Sequence, residues 1–207
     1  MKKVLFLSAV LLAGLVSAQN WQVRLRGVSV QPNEKATIGI IGGDVNISNS
    51  FIPEADFTYF FNKNIAAELI LGTTKHNVVA KSTALGDIDL GSVYLLPPTL
   101  TLQYHFYPTA KLKPYIGAGL NYTIFYSEGK NPAAAVTKVE YKDNVGFALQ
   151  GGVDYFVTEK YFLNLDVKQL FLKTDVTVST IPAIGATVPA DVTINPLLLG
   201  VGVGMKF

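Results

Sequence analysis

The chain has 207 residues, one domain's worth, with 15% charged residues, two histidines and no cysteine. That inventory excludes thiol catalysis, histidine-rich metal sites and disulfide stabilisation. Charge well below the usual quarter, with 18 Gly, 10 Tyr and 12 Phe, also departs from an ordinary soluble enzyme.

Met1-Lys2-Lys3 is a positive n-region, Val4–Val16 an apolar h-region and Val16-Ser17-Ala18 a small-residue cleavage site. At 13 residues the apolar run is shorter than the roughly 20 that a membrane-spanning helix needs. Residues 1–18 therefore read as a cleaved signal peptide and 19–207 as the mature domain. Removing Lys2 and Lys3 from the 17 basic residues leaves as many as the 15 acidic ones, which argues against nucleic acid as a partner.

The mature sequence alternates with period two rather than 3.6. Trp21, Val23 and Leu25 alternate with Gln22, Arg24 and Arg26; Ala55, Phe57, Tyr59 and Phe61 with Glu54, Asp56 and Thr58. Ile65, Ala67, Leu69 and Leu71 oppose Ala66, Glu68 and Gly72. Tyr94, Leu96, Leu100, Leu102, Tyr104 and Phe106 oppose Thr99, Thr101, Gln103 and His105. Within Lys113 to Tyr126, Ile116, Ala118, Leu120, Tyr122, Ile124 and Tyr126 share one face, and Gly117, Gly119, Asn121 and Thr123 the other. Val145 to Tyr155, Tyr161 to Lys168 and Leu197 to Phe207 complete eight predicted strands.

Three connections are tight, at Asn62–Asn64, Pro108–Lys111 and Thr158–Lys160. Four are long, at about 32–53, 75–90, 128–144 and 176–191, and the two kinds alternate. The pattern predicts an all-β fold, an eight-stranded antiparallel transmembrane β-barrel of the bacterial outer membrane. Short turns and both termini would be periplasmic and the longer loops extracellular. Tyr59, Phe61, Tyr104, Phe106, Tyr115, Tyr155, Tyr161 and Phe207 are expected in a girdle at the turn end, with Phe51, Tyr94, Tyr126 and Phe171 forming a second near the loops. A soluble β-sandwich also alternates, but the polar faces here are rich in Gly, Ala and Thr and would make a poor solvated surface. Lipids of the outer membrane are the expected surroundings, and the last strand, ending in Phe207, the element the barrel assembly machinery would read.

If the apolar faces meet lipid, Arg24, Arg26, Glu54, Asp56, Glu68, His105, Asp154, Asp166, Lys168 and Lys206 point into the lumen. Mixed charges in a dry interior have to pair. Their expected role is a polar network that plugs the lumen and fixes strand register; a wet, charge-lined path is the alternative. No catalytic constellation emerges. His76 lies in a long loop and His105 in a strand, there is no His-x-Ser alternation, and Gly117-x-Gly119 sits inside a strand rather than before a helix. Asp44, Asp87 and Asp89 in the loops would be the only cation candidates, and solvated loop acids are the plainer reading. No cofactor or metal is expected.

The stretch from Gly86-Asp87-Ile88 through Leu96-Pro97-Pro98-Thr99-Leu100 to Pro114-Tyr115-Ile116-Gly117-Ala118-Gly119-Leu120-Asn121-Tyr122-Thr123 resembles the OmpW family of outer-membrane proteins. Asn64-Ile65 with Glu68-Leu69, and Lys142-Asp143 with Gly152-Val153-Asp154-Tyr155, extend the likeness over nearly the whole mature chain. The resemblance implies a narrow, largely apolar channel carrying small hydrophobic molecules, with Ile70, Leu95, Pro97 and Pro98 as channel or wall residues. Pro98 has no N–H to give a neighbour, so ladder pairing should break there and offer a sideways exit to lipid. Two features depart from the family: Lys168 where an aromatic is expected, and the unusually apolar fourth loop, Ile181–Ala186 with Val188-Pro189-Ala190. That loop would either cover the mouth as a hydrophobic entrance or pack on its neighbours. Passive transport of small hydrophobic solutes is thus the expected function. The alternatives are a structural or adhesive barrel with a filled lumen, and, more remotely, a lipid-modifying enzyme.

Overall fold

A computed structural model describes residues 20–39, 41–130, 132, 136–181 and 186–207. The predicted signal peptide lies outside the described residues, as does the 182–185 part of the apolar fourth loop. Among the described residues there are fourteen strands: β1 Trp21–Gln31, β2 Glu34–Ile38, β3 Asp44–Ile47, β4 Ser50–Phe60, β5 Ile65–Gly72, β6 Thr74–Thr83, β7 Gly86–Leu96, β8 Thr99–His105, β9 Leu112–Lys130, β10 Lys138–Tyr141, β11 Asn144–Phe156, β12 Tyr161–Ile181, β13 Ala186–Ile194 and β14 Leu197–Lys206.

Eight of them close on themselves, each antiparallel to the next: β1, β4, β5, β8, β9, β11, β12, β14 and back to β1. Closure leaves no free sheet edge and pairs the backbone of each strand with both neighbours, which hydrocarbon demands because it offers no water as partner. The tight turns are set by local chemistry. Asn62 Oδ1 accepts from the N–H groups of Asn64 and Ile65 at 2.8 and 2.9 Å, and Thr158 Oγ1 from those of Lys160 and Tyr161 at 3.2 and 2.9 Å.

The long connections are themselves largely strand. They build two further sheets that prolong the wall beyond the barrel, β10–β12–β13–β2 and β3–β6–β7–β9. Their alternation is real but inverted: Val45, Val78, Ala80, Ile88, Leu90, Val176, Val178, Val188 and Val192 are buried inside. Of the fourth loop, Val188 and Ala190 line the cavity below it, while Pro189 is exposed.

Parity is kept along each strand while chemistry switches. On β1 the inward residues run Gln22, Arg24, Arg26, then Val28 and Val30; on β12 they run Asn164, Asp166, Lys168, then Leu170 and Leu172. In the barrel proper the outward residues are apolar, with Leu25, Leu120 and Leu102 each about 60% exposed. That surface is the one lipid covers. Ring clusters rim it at the turn end (Trp21–Tyr59 5.1 Å, Tyr104–Phe106 5.0 Å between centroids) and at the loop end (Tyr94–Tyr126 5.5 Å). Tyr115 is a correction: it is 1% exposed and points into the lumen, because it shares the parity of Gly117 and Gly119.

Candidate functional site: a stoppered apolar chamber

Cross-strand register brings the inward charges together. Arg24 lies opposite Asp56 and Arg26 opposite Glu54 on the β1–β4 pair, while Glu68 follows on β5. Arg24 Nη1 donates to Asp56 Oδ1 at 3.0 Å, Glu68 Oε1 at 2.7 Å and Thr58 Oγ1 at 3.1 Å, and Nη2 reaches Asp154 Oδ2 at 3.2 Å across the lumen. Arg26 Nη2 sits 2.7 Å from Asp56 and 3.0 Å from Glu68, and Nη1 3.3 Å from Asp166. Its Nε approaches Glu54 at 3.1 Å without the alignment of a hydrogen bond.

Lys168 Nζ lies 3.3 Å from Glu54 Oε2 and 3.9 Å from Asp166. Neutral side chains finish the stopper. Tyr115 Oη and Gln150 Nε2 each donate to Asp166 at 2.7 Å, and Gln103 Nε2 donates to Glu68 at 2.7 Å. Three cations thus face five carboxylates, all 5% exposed or less. His105 touches this cluster through Gln103, at 2.9 Å, and through Tyr115, on whose ring it stacks with 5.0 Å between centroids. Lys206 stays outside it, at the turn-end mouth, half-buried.

Above the stopper the lumen is carbon-lined. A cavity of about 60 Å³ is bounded by Ile52, Ile70, Leu95, Leu170 and Leu198, with Glu54 and Lys168 as its floor. A second, of about 40 Å³, lies farther out between the two loop-end sheets. Ile47, Val78, Tyr141 and Ile194 line both, so they form a waist. The Tyr141 ring is stacked on Phe125, 5.3 Å between centroids and 13° between planes. Burial and the neighbouring Glu128 push the Tyr141 phenol above its usual range. Neither Tyr141 nor Ile194 was singled out in the sequence; the signal was the change from charge to hydrocarbon at constant parity after Lys168 and Arg26.

Ile70, Leu95 and Pro97 all line the lower cavity, and Pro98 stands beside it in the wall. Pairing there lapses between Ile70↔Thr99 and Thr74↔Leu95, leaving Leu71–Thr73 unmatched with Leu96–Pro98. The other flank is intact, since Tyr122 N–H donates to the Pro98 carbonyl at 3.0 Å. Among the described residues Thr73 is tied only by its hydroxyl, to Leu95 O at 3.2 Å and to Tyr126 Oη. A second lapse separates Thr73–His76 from residues 49–53, between Glu54↔Gly72 and the bond from Ser48 N–H to Asn77 O.

His76 faces the lower cavity with Nδ1 2.6 Å from the Ser48 carbonyl and Nε2 2.9 Å from Thr74 Oγ1. A carbonyl only accepts, so Nδ1 carries the proton and Nε2 accepts from the threonine. Burial holds this imidazole below its ordinary pKa. The loop acids are spent separately. Asp44 accepts from the N–H groups of Ala36 and Val45, Asp87 pairs with Lys81, and Asp89 accepts from Gly91 N–H. No metal-binding group of three His, Asp or Glu exists among the described residues.

A closed eight-stranded barrel with an apolar outer band and a polar lumen defines an outer-membrane β-barrel protein. The OmpW family profile matches residues 18–207, and the chain belongs to that family. It is 43% identical over 188 residues to outer-membrane protein y4mB of Sinorhizobium fredii, covering 90% of this chain and 80% of the relative. It is 34% identical over 159 residues to outer membrane protein W of Escherichia coli, 73% of each chain. The crystal structure of OprG from Pseudomonas aeruginosa superimposes with a TM-score of 0.83 at 27% identity, over 92% of this chain and 97% of that one.

Proposed function

We propose that this barrel passes small apolar solutes, without chemistry, from the cell exterior into its loop-end chamber and releases them sideways into the hydrocarbon of the outer membrane. The observation that carries the reading is the switch from hydrocarbon to ion pairs at the level of Leu170 and Lys168. An apolar solute gains about 25 cal/mol per Å² of its surface on entering the chamber. It gains nothing by going on, since it would have to part buried ion pairs that cost several kcal/mol to leave uncompensated.

The lapse at Pro97-Pro98 lies at the chamber's own level, where opening the wall breaks no ladder bond on the β5–β6 side. In this reading the long-loop end faces outward and the tight turns and both termini the periplasm. The test uses vesicles with lipopolysaccharide in the outer leaflet and N-phenylnaphthylamine, which fluoresces on reaching hydrocarbon. The barrel should speed its arrival, conduct few ions, and lose most of the gain with Pro97→Ala/Pro98→Ala. If the double variant passes the probe as fast as the parent, the exit is elsewhere. If the parent does no better than empty vesicles, the filled, structural barrel is the correct reading, and the fully buried stopper is what favours it.

A further inference from the structure

The turn end carries a separate cavity, of about 230 Å³, that the transport reading leaves unused. Three ammonium side chains line it from three elements: Lys63 from the β4–β5 turn, Lys113 from the start of β9 and Lys206 from the end of β14. Among the described residues no carboxylate lines it. The buried side chains of Gln22 and His105 close its floor, and His105 Nε2 is already engaged by Gln103. Among the described residues none of the three lysines makes an ion pair.

Lys113 stacks its ammonium 3.9 Å from the Phe156 ring centroid, and it feels both the like charge of Lys206 and the attraction of Asp154. Asp154, however, is taken: Arg24 and Asn164 occupy its oxygens at 3.2 and 2.8 Å. Like charges held in one polar cleft without partners attract an anion. The cleft sits at the level of Trp21 and Tyr59, where rings mark the headgroup zone.

We propose that the turn-end mouth is a binding site for a phosphate group flanked by Lys63, Lys113 and Lys206. The phosphate of an anionic phospholipid in the adjoining leaflet and free phosphate share this chemistry. A lysine near an anionic surface is worth roughly fivefold in affinity, so three acting together would favour an anionic over a zwitterionic headgroup by up to about a hundredfold.

The full chain is placed in nanodiscs of equimolar phosphatidylglycerol and phosphatidylethanolamine, and retained lipids are counted by native mass spectrometry. In parallel, inorganic phosphate is titrated against the protein in a non-ionic detergent while the amide resonances of the three lysines are followed. Phosphatidylglycerol should be retained preferentially by the parent and by Lys111→Gln/Lys160→Gln, but not by Lys63→Gln/Lys113→Gln/Lys206→Gln, whose heat-modifiable gel mobility reports that it still folds. Phosphate-dependent shifts without a lipid preference would assign the site to the free anion. The proposal is overturned if neither ligand is preferred, or if the preference survives the triple variant.

Discussion

Replacing Arg24 with methionine isolates the energetics of the stopper, because methionine keeps much of the stem's volume and removes only the charge and its donors. Arg24 makes ion pairs of 3.0, 2.7 and 3.2 Å with Asp56, Glu68 and Asp154, all fully or almost fully buried. Its loss leaves Arg26 and Lys168 facing the same five carboxylates. Removing one partner from a buried pair costs about 3–5 kcal/mol, chiefly the penalty of the charge left behind. Three shared partners put Arg24→Met at the upper part of that range. The measurement is reversible urea unfolding in lipid vesicles, read by the fluorescence of Trp21, the one tryptophan in the chain. Adding Asp154→Asn should recover part of the loss, since it removes one of the stranded charges. A cost below about 1 kcal/mol would refute the idea that ion pairing holds the wall together.

A methyl group at Gly204 would collide with the Phe162 ring, so Gly204→Ala should cost about 1–3 kcal/mol in the same unfolding assay. Tyr141→Ala should widen the waist and speed bulky apolar solutes several-fold in the vesicle assay, leaving slender ones unchanged, whereas Tyr141→Phe keeps the ring and the parent's selectivity. Equal rates for every solute size in Tyr141→Ala and parent would remove the waist from the account. His76 is held neutral in the folded state, so below about pH 6.5 the unfolded chain takes up a proton that the folded chain resists. Stability present above that pH is therefore lost as pH falls. Hydrogen-exchange protection of the Thr74–Asn77 amides, corrected for intrinsic rates, should drop on acidification, and His76→Gln should flatten the response.

Much of this was legible in the sequence because side-chain parity in a strand is a local property. Alternation from Ile116 to Tyr126 marks one face for lipid and one for the lumen whatever the rest of the chain does. The inward positions of Arg24, Asp56, Glu68 and Asp166 follow from it, as does the break at Pro97-Pro98, which needs only the missing N–H groups. Parity also held the answer for Tyr115, whose proximity to a tight turn suggested a girdle position that its odd number rules out.

Closure of the wall decided what parity could not. Arg24 and Asp154 are 130 positions apart and meet only because β1 and β11 face each other across the lumen. The chamber likewise has no local signature, since Val45, Val78, Val176 and Ile194 come from four different elements. Whether these face in or out depends on where the membrane ends along the wall, a boundary set by the assembled barrel. Inside the bilayer hydrocarbon takes the outer face, while the lumen holds charge up to Lys168 and carbon above it, around Ile70 and Leu170. Beyond it water takes the outer face and the same parity turns apolar side chains inward.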